Sequence, residues 1–143
     1  MRSLSALVLA LAVICVAPKV WHAHQRAAFQ REVNSLADGN GFIPVHMPDG
    51  AEQGTVLILA PRNCPSAQAR RADALAGELT RAGIPNRRTA TYFIARASRG
   101  DQAEIARALD LMRLDRAPVV MIDDRAKANP TTEEVVAEFR HRD

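Results

Sequence analysis

The chain has 143 residues and a mass of 15.6 kDa, room for one ordinary domain and a short appendage but not for an enzyme with a separate cofactor domain. Cys15 and Cys64 are its only cysteines, which excludes a scaffold built on disulfides. The net charge of +3 gathers in the N-terminal stretch, because from Phe42 onward 15 basic residues meet 14 acidic ones. With aromatic residues at only 4%, the chain has neither the basic stripe nor the stacking platform of a nucleic-acid binder, and no nucleic-acid partner is expected.

From Leu4 to Ala17 the chain is apolar and uncharged, between Arg2 and Lys19. That is shorter than the ~20 residues of a full membrane span, and the basic start resembles a secretory signal. Residues 1–18 are therefore expected to be a signal peptide or membrane anchor, 19–41 a helical stalk or linker, and 42–143 the folded domain. This places the protein in the cell envelope, exported or anchored, with the membrane as a partner through its N-terminal segment. Lys19, Arg26 and Arg31 outnumber Arg2, which leaves the orientation open. Trp21, Ala28, Val33 and Leu36 fall near one helical face, and Gly39-Asn40-Gly41 ends the stalk. His22-x-His24 is read as solvated, since helical residues two apart point to different sides. No metal site is expected.

Phe42–Met47 is expected as an edge strand, because Pro44 bars it from a sheet centre. Thr55–Ala60 is a continuous apolar run, the pattern of a strand buried on both faces. Pro65-Ser66 opens a helix in which Ala72, Leu75, Ala76, Leu79 and Ala82 keep helical spacing up to Gly83, with Pro85 just beyond. Arg88–Ala95 is expected as a second central strand. Asp101 caps a helix with Ile105, Ala108, Leu109 and Met112 as its buried face. Ala117–Ile122 makes a third strand, Asp123-Asp124 turns the chain, and Arg125–Ala128 returns as a short antiparallel strand. Thr131-x-x-Glu134 is a capping box for a last helix with Val135, Val136 and Phe139 inward. The expected class is α/β, a layered βαβαββα fold with a mainly parallel sheet.

That order, with Cys64-Pro65-Ser66-Ala67 at the mouth of the first helix and Arg116-Ala117-Pro118-Val119 ahead of the third strand, resembles the thioredoxin superfamily, its glutaredoxin-like branch most. The resemblance covers roughly Gln53 to His141. It implies a thioredoxin-like three-layer fold, a nucleophilic thiol at Cys64, and a cis-proline at Pro118 with Val119 giving a backbone contact to the partner. It also implies no bound cofactor, glutathione as a co-substrate, and a protein thiol or disulfide or glutathione as the partner.

Physical chemistry supports a thiolate at Cys64: unpaired N–H groups and the dipole at a helix start stabilise it, and Arg62 adds positive charge. Ala67 stands where a second cysteine would resolve a mixed disulfide, so only one-thiol chemistry remains. The Gly-Gly usual before the last helix is replaced by Ala126-Lys127-Ala128-Asn129, and Thr131 and Thr132 are left to offer hydroxyl and N–H groups there. Two alternatives share the same residues. One is a peptide-binding module without catalysis. The other is a cysteine phosphatase, because Cys64 and Arg70 keep C-x5-R spacing; the absence of glycine in that loop opposes it.

Overall fold

The computed structural model describes residues 21, 23–61, 65–95, 97–98, 100–113 and 117–142. The expected signal or anchor at 1–18 lies outside them, and among the described residues no helix is long and apolar enough to cross a membrane. The chain divides into two compact units, Met1–Ser35 and Leu36–Asp143. The first contributes most of a helix through residues 23–36, and Trp21, itself helical, is 63% exposed.

The second unit is mixed α/β. In chain order it contains β1 (Ile43–Pro44), β2 (Val56–Leu59), α1 (Ala67–Arg81), β3 (Asn86–Thr89), α2 (Gln102–Arg113), β4 (Val119–Ile122), β5 (Arg125–Ala128) and α3 (Thr132–Arg142). The five strands form one sheet in the order β1-β5-β4-β2-β3. Every residue of β2 and β4 is buried, as their unbroken apolar sequences require. Side chains alternate across a strand. Val56 and Ile58 of β2, with Val120 and Ile122 of β4, therefore face one layer, where Ala72, Leu75 and Leu79 of α1 and Val135 of α3 close the main core. Leu57, Leu59, Val119 and Met121 turn to the opposite face, and α2 packs against β5 through its own inward residues Ala108 and Leu111.

The sheet is not mainly parallel as expected: only β2 and β3 run parallel, and the other three pairings are antiparallel. The segment after β3 is the cause. Residues 90–95 start the chain back along the sheet, where the Phe93 carbonyl accepts from Asp49 N–H at 2.9 Å and the Tyr92 hydroxyl donates to the His46 carbonyl at 2.7 Å. α2 then returns the chain to the end from which β2 leaves, so β4 must run against β2. The Asp123-Asp124 turn, with Asp123 at φ 50°, reverses the chain again into β5.

β3 also departs from the expected Arg88–Ala95. Ala82 caps α1, Gly83 takes φ +74°, a conformation a side chain would strain, and Val56 N–H bonds the Pro85 carbonyl at 2.8 Å. The chain therefore enters the sheet at once, in register Val56↔Asn86. β3 is an edge strand rather than a central one, and this lets its arginines reach out: Arg88 pairs with Asp73, and Arg87 Nη2 donates to the Gly50 carbonyl at 3.0 Å. The Thr91–Ile94 run has no regular structure, and Phe93 is 63% exposed. β1 keeps its edge position against β5 but spans only Ile43–Pro44. On α2 the inward face is rotated, with Leu111 buried and Leu109 39% exposed.

Leu79 is fully buried where α1 meets the sheet. Leu79→Ala is expected to cost about 2–5 kcal/mol by urea unfolding, whereas truncating exposed Phe93 to alanine should cost less than about 1 kcal/mol.

Candidate functional site

The pairing of Leu59 with Val119 brings the end of β2 beside the start of β4. Three features meet at that end of the sheet. The Ala117–Pro118 peptide is cis, as expected from the resemblance. α1 begins there, with Ser66 as its cap accepting from Ala69 N–H at 3.2 Å. α3 begins there too, because Asn129 N–H bonds the Pro118 carbonyl at 2.7 Å and fixes the chain just ahead of that helix. Beside Pro118 and the α3 start lies a cleft of about 310 Å³, lined by Arg71, Ala74, Leu75 and Glu78 along the side of α1, by Pro118, and by Asn129 to Glu133.

Of the site residues expected from sequence, the cleft collects Pro118, Thr131 and Thr132. Val119 is not part of its wall: it is 2% exposed and held in register with both Leu59 and Ala128. Cys64 and Arg62 lie outside the described residues, as does His22. Pro65 and Ser66 are described; Pro65 precedes the cap rather than standing inside the helix. Arg70, the arginine of the C-x5-R spacing, is exposed and turns its guanidinium onto the Pro65 carbonyl.

The start of α3 forms the expected capping box. Thr131 N–H donates to Glu134 Oε2 at 2.9 Å, and Glu134 N–H donates to Thr131 Oγ1 at 3.3 Å. The Thr132 hydroxyl donates to Glu78 Oε2 across the cleft. Burial opposes charge on Glu134, but the Lys127 ammonium at 2.8 Å and the Thr131 N–H hold its carboxyl below the ordinary value. Glu133 is lowered as well, by its own backbone N–H first and then by Thr131. The first turn of α3 thus already carries the chain's own carboxylates, which also suit its positive end.

A second polar cluster lies at the opposite end of the sheet, and sequence reasoning missed it. Glu138 is only 1% exposed, on the inward face of α3. Asn40 Nδ2 donates to one of its oxygens at 2.9 Å and Arg142 Nε to the other at 3.2 Å. Arg142 also reaches Asp123 and Asp124, and Arg125 bonds Asp38 Oδ2 at 2.8 Å. Burial works against charge on Asp38, yet the N–H groups of Phe42 and Asn40 and the Arg125 guanidinium keep its carboxyl below the ordinary value. Glu138 falls three residues after Val135 and four before Arg142, so an acid on the apolar stripe was the available signal. Among the described residues, no group of three His, Cys, Asp or Glu side chains is placed to hold a metal ion.

No family model, curated protein or solved structure matches this chain.

Two outcomes follow from these contacts. Thr131→Ala removes the cap and should cost about 0.5–2 kcal/mol in urea unfolding. The Asp38 pKa is depressed on folding, so its stabilising effect is present above the ordinary value of 3.8 and is lost as pH falls below it. Asp38→Asn should therefore lower the urea midpoint at pH 7 and narrow its gap from wild type between pH 4 and pH 2; a gap that stays constant over that range would contradict the assignment.

Proposed function

We infer that this is a thioredoxin-fold protein of the glutaredoxin-like kind, associated with the cell envelope, in which Cys64 performs one-thiol exchange. The observation that carries this reading is the cleft at the end of β2, where Pro118, Thr131 and Thr132 converge from separate parts of the chain. Cys64 falls in the sequence between β2 and α1, the two elements that meet at that end of the sheet. The βαβαββα order from β2 onward and the cis Ala117–Pro118 peptide support the same fold assignment.

The chemistry is a pair of balanced displacements. The Cys64 thiolate attacks one sulfur of a disulfide, in a partner polypeptide or in glutathione disulfide. A new S–S bond forms to Cys64 while the other sulfur departs as a thiolate. An external thiol then attacks the mixed disulfide and releases Cys64, because Ala67 offers no internal thiol to do so. Arg62 and the α1 start would favour the Cys64 thiolate, and the wall from Pro118 to Thr132 would hold the partner's backbone alongside. The second reading uses the same cleft without chemistry. Its apolar side, Ala74, Leu75, Pro118 and Pro130, would then simply hold an extended peptide.

The pH dependence of Cys64 alkylation by iodoacetamide, followed by mass spectrometry of the Cys64 peptide, separates the two. Exchange predicts a midpoint below the ordinary thiol value of ~8.5. A midpoint at or above it would leave only the binding module.

A further inference from the structure

Gly39-Asn40-Gly41, the end of the stalk in the sequence, also holds a chemically labile pair. An asparagine side chain is open to attack by the backbone nitrogen of the next residue, and glycine, with no side chain, hinders that nitrogen least. The other asparagines are followed by Ser35, Cys64, Arg87 and Pro130. The fold requires the glycine: Gly41 has φ +81°, and a Cβ there would lie 2.8 Å from Lys127 Nζ. It also uses the asparagine, whose Nδ2 donates at 2.9 Å to Oε2 of Glu138, a residue only 1% exposed. The labile pair is thus built into the cluster that ties the chain ahead of β1 to the inward face of α3.

The same contacts hold the reaction back. Gly41 N–H donates to the Asp38 carbonyl at 3.0 Å, Asn40 N–H to Asp38 Oδ1 at 2.9 Å, and Lys127 Nζ to the Asn40 carbonyl at 2.7 Å. The attacking nitrogen must give up a proton engaged by Asp38, and the amide must swing away from Glu138 to meet it. We propose that Asn40 is a modification site, a deamidation point latched by Glu138, whose conversion irreversibly loosens α3 from the chain ahead of β1. When the latch opens, Gly41 N loses its proton and bonds to Asn40 Cγ, the Cγ–Nδ2 bond breaks, and Nδ2 leaves as ammonia. Water then opens the succinimide at either carbonyl, giving an aspartyl or isoaspartyl linkage. One water is consumed and one ammonia released, with no change of oxidation state. Either product removes the amide donor to Glu138 and adds a carboxylate, which leaves a buried acid short of a partner beside a like charge. The isoaspartyl form also lengthens the turn that Asp38 N–H closes on the Phe42 carbonyl. None of these steps requires Cys64.

The test incubates the full chain at pH 7, folded and in urea strong enough to unfold it, and reads amide hydrolysis at each asparagine by peptide mass spectrometry. In urea, Asn40 should convert ahead of every other asparagine, and folding should slow its conversion by at least about tenfold. Glu138→Gln keeps an acceptor but removes its charge, and should speed the reaction in the folded chain by on the order of tenfold. The urea comparison needs no substitution, so it stands even if that variant folds poorly. Asn40→Asp reproduces the aspartyl product and should lower the urea midpoint below that of Asn40→Ala, which only removes the donor. Equal rates in the folded and unfolded chain overturn the latch, and another asparagine converting first in urea overturns the site. An unchanged rate in a folded Glu138→Gln chain overturns the role of Glu138. An Asn40→Asp chain as stable as Asn40→Ala overturns the loosening.

Discussion

The antiparallel pairing of β2 with β4 is the constraint on which the remaining architecture depends. Both strands are wholly buried and register Leu57 on Met121 and Leu59 on Val119. Each large apolar side chain sealed in this way contributes about 1.5–3 kcal/mol against exposure to water. The pair therefore fixes the sheet centre before any loop is considered. Its direction then decides what meets what. Because β4 starts where β2 ends, the Pro118 peptide, the α1 cap and the α3 cap gather at one end of the sheet. A parallel β4 would have put Pro118 at the far end, away from the α1 cap.

Charge then secures what burial has arranged. Lys127 joins the Asn40 carbonyl at 2.7 Å to Glu134 at 2.8 Å, linking the chain ahead of β1 to the start of α3. The approach of this lysine explains Gly41: a Cβ there would lie 2.8 Å from the ammonium, and its φ of +81° favours glycine independently. At the far end, buried Glu138 is satisfied by an amide and a guanidinium, an arrangement that makes loss of either partner costly. Both clusters pair acids with bases in neighbouring elements, so a near-neutral domain still has strongly directional surface charge. The cleft wall is where that balance tips towards acid.

The sequence made some of this legible because one local cause dominated. Val56–Leu59 and Val119–Ile122 are apolar runs that can only be inner strands, the α1 stripe ends at Ala82-Gly83, and Thr131 and Glu134 carry their cap in their spacing. Misreadings arose where tertiary geometry overrode local preference. Thr91-Tyr92-Phe93-Ile94 has every residue a strand favours, yet the turn through Gly83 and Pro85 committed Asn86–Thr89 to the sheet first. The direction of β4 depended on which way the chain turns after β3, which no periodicity encodes. The candidate site was legible in part. Pro118, Thr131 and Thr132 were chosen from sequence and share a cleft, whereas Glu78 and Arg71 were not, because exposed charges on a helix are ordinary until another element stands opposite.

The proposed exchange at Cys64 would take place against the wall formed by Pro118 and the start of α3. A crystal structure of the full chain, trapped as a mixed disulfide between Cys64 and a cysteine-containing peptide, tests it most directly. Exchange at this wall predicts peptide backbone running past Pro118 towards Thr132. A peptide directed away from this cleft, with Pro118 and Thr132 untouched, would contradict it.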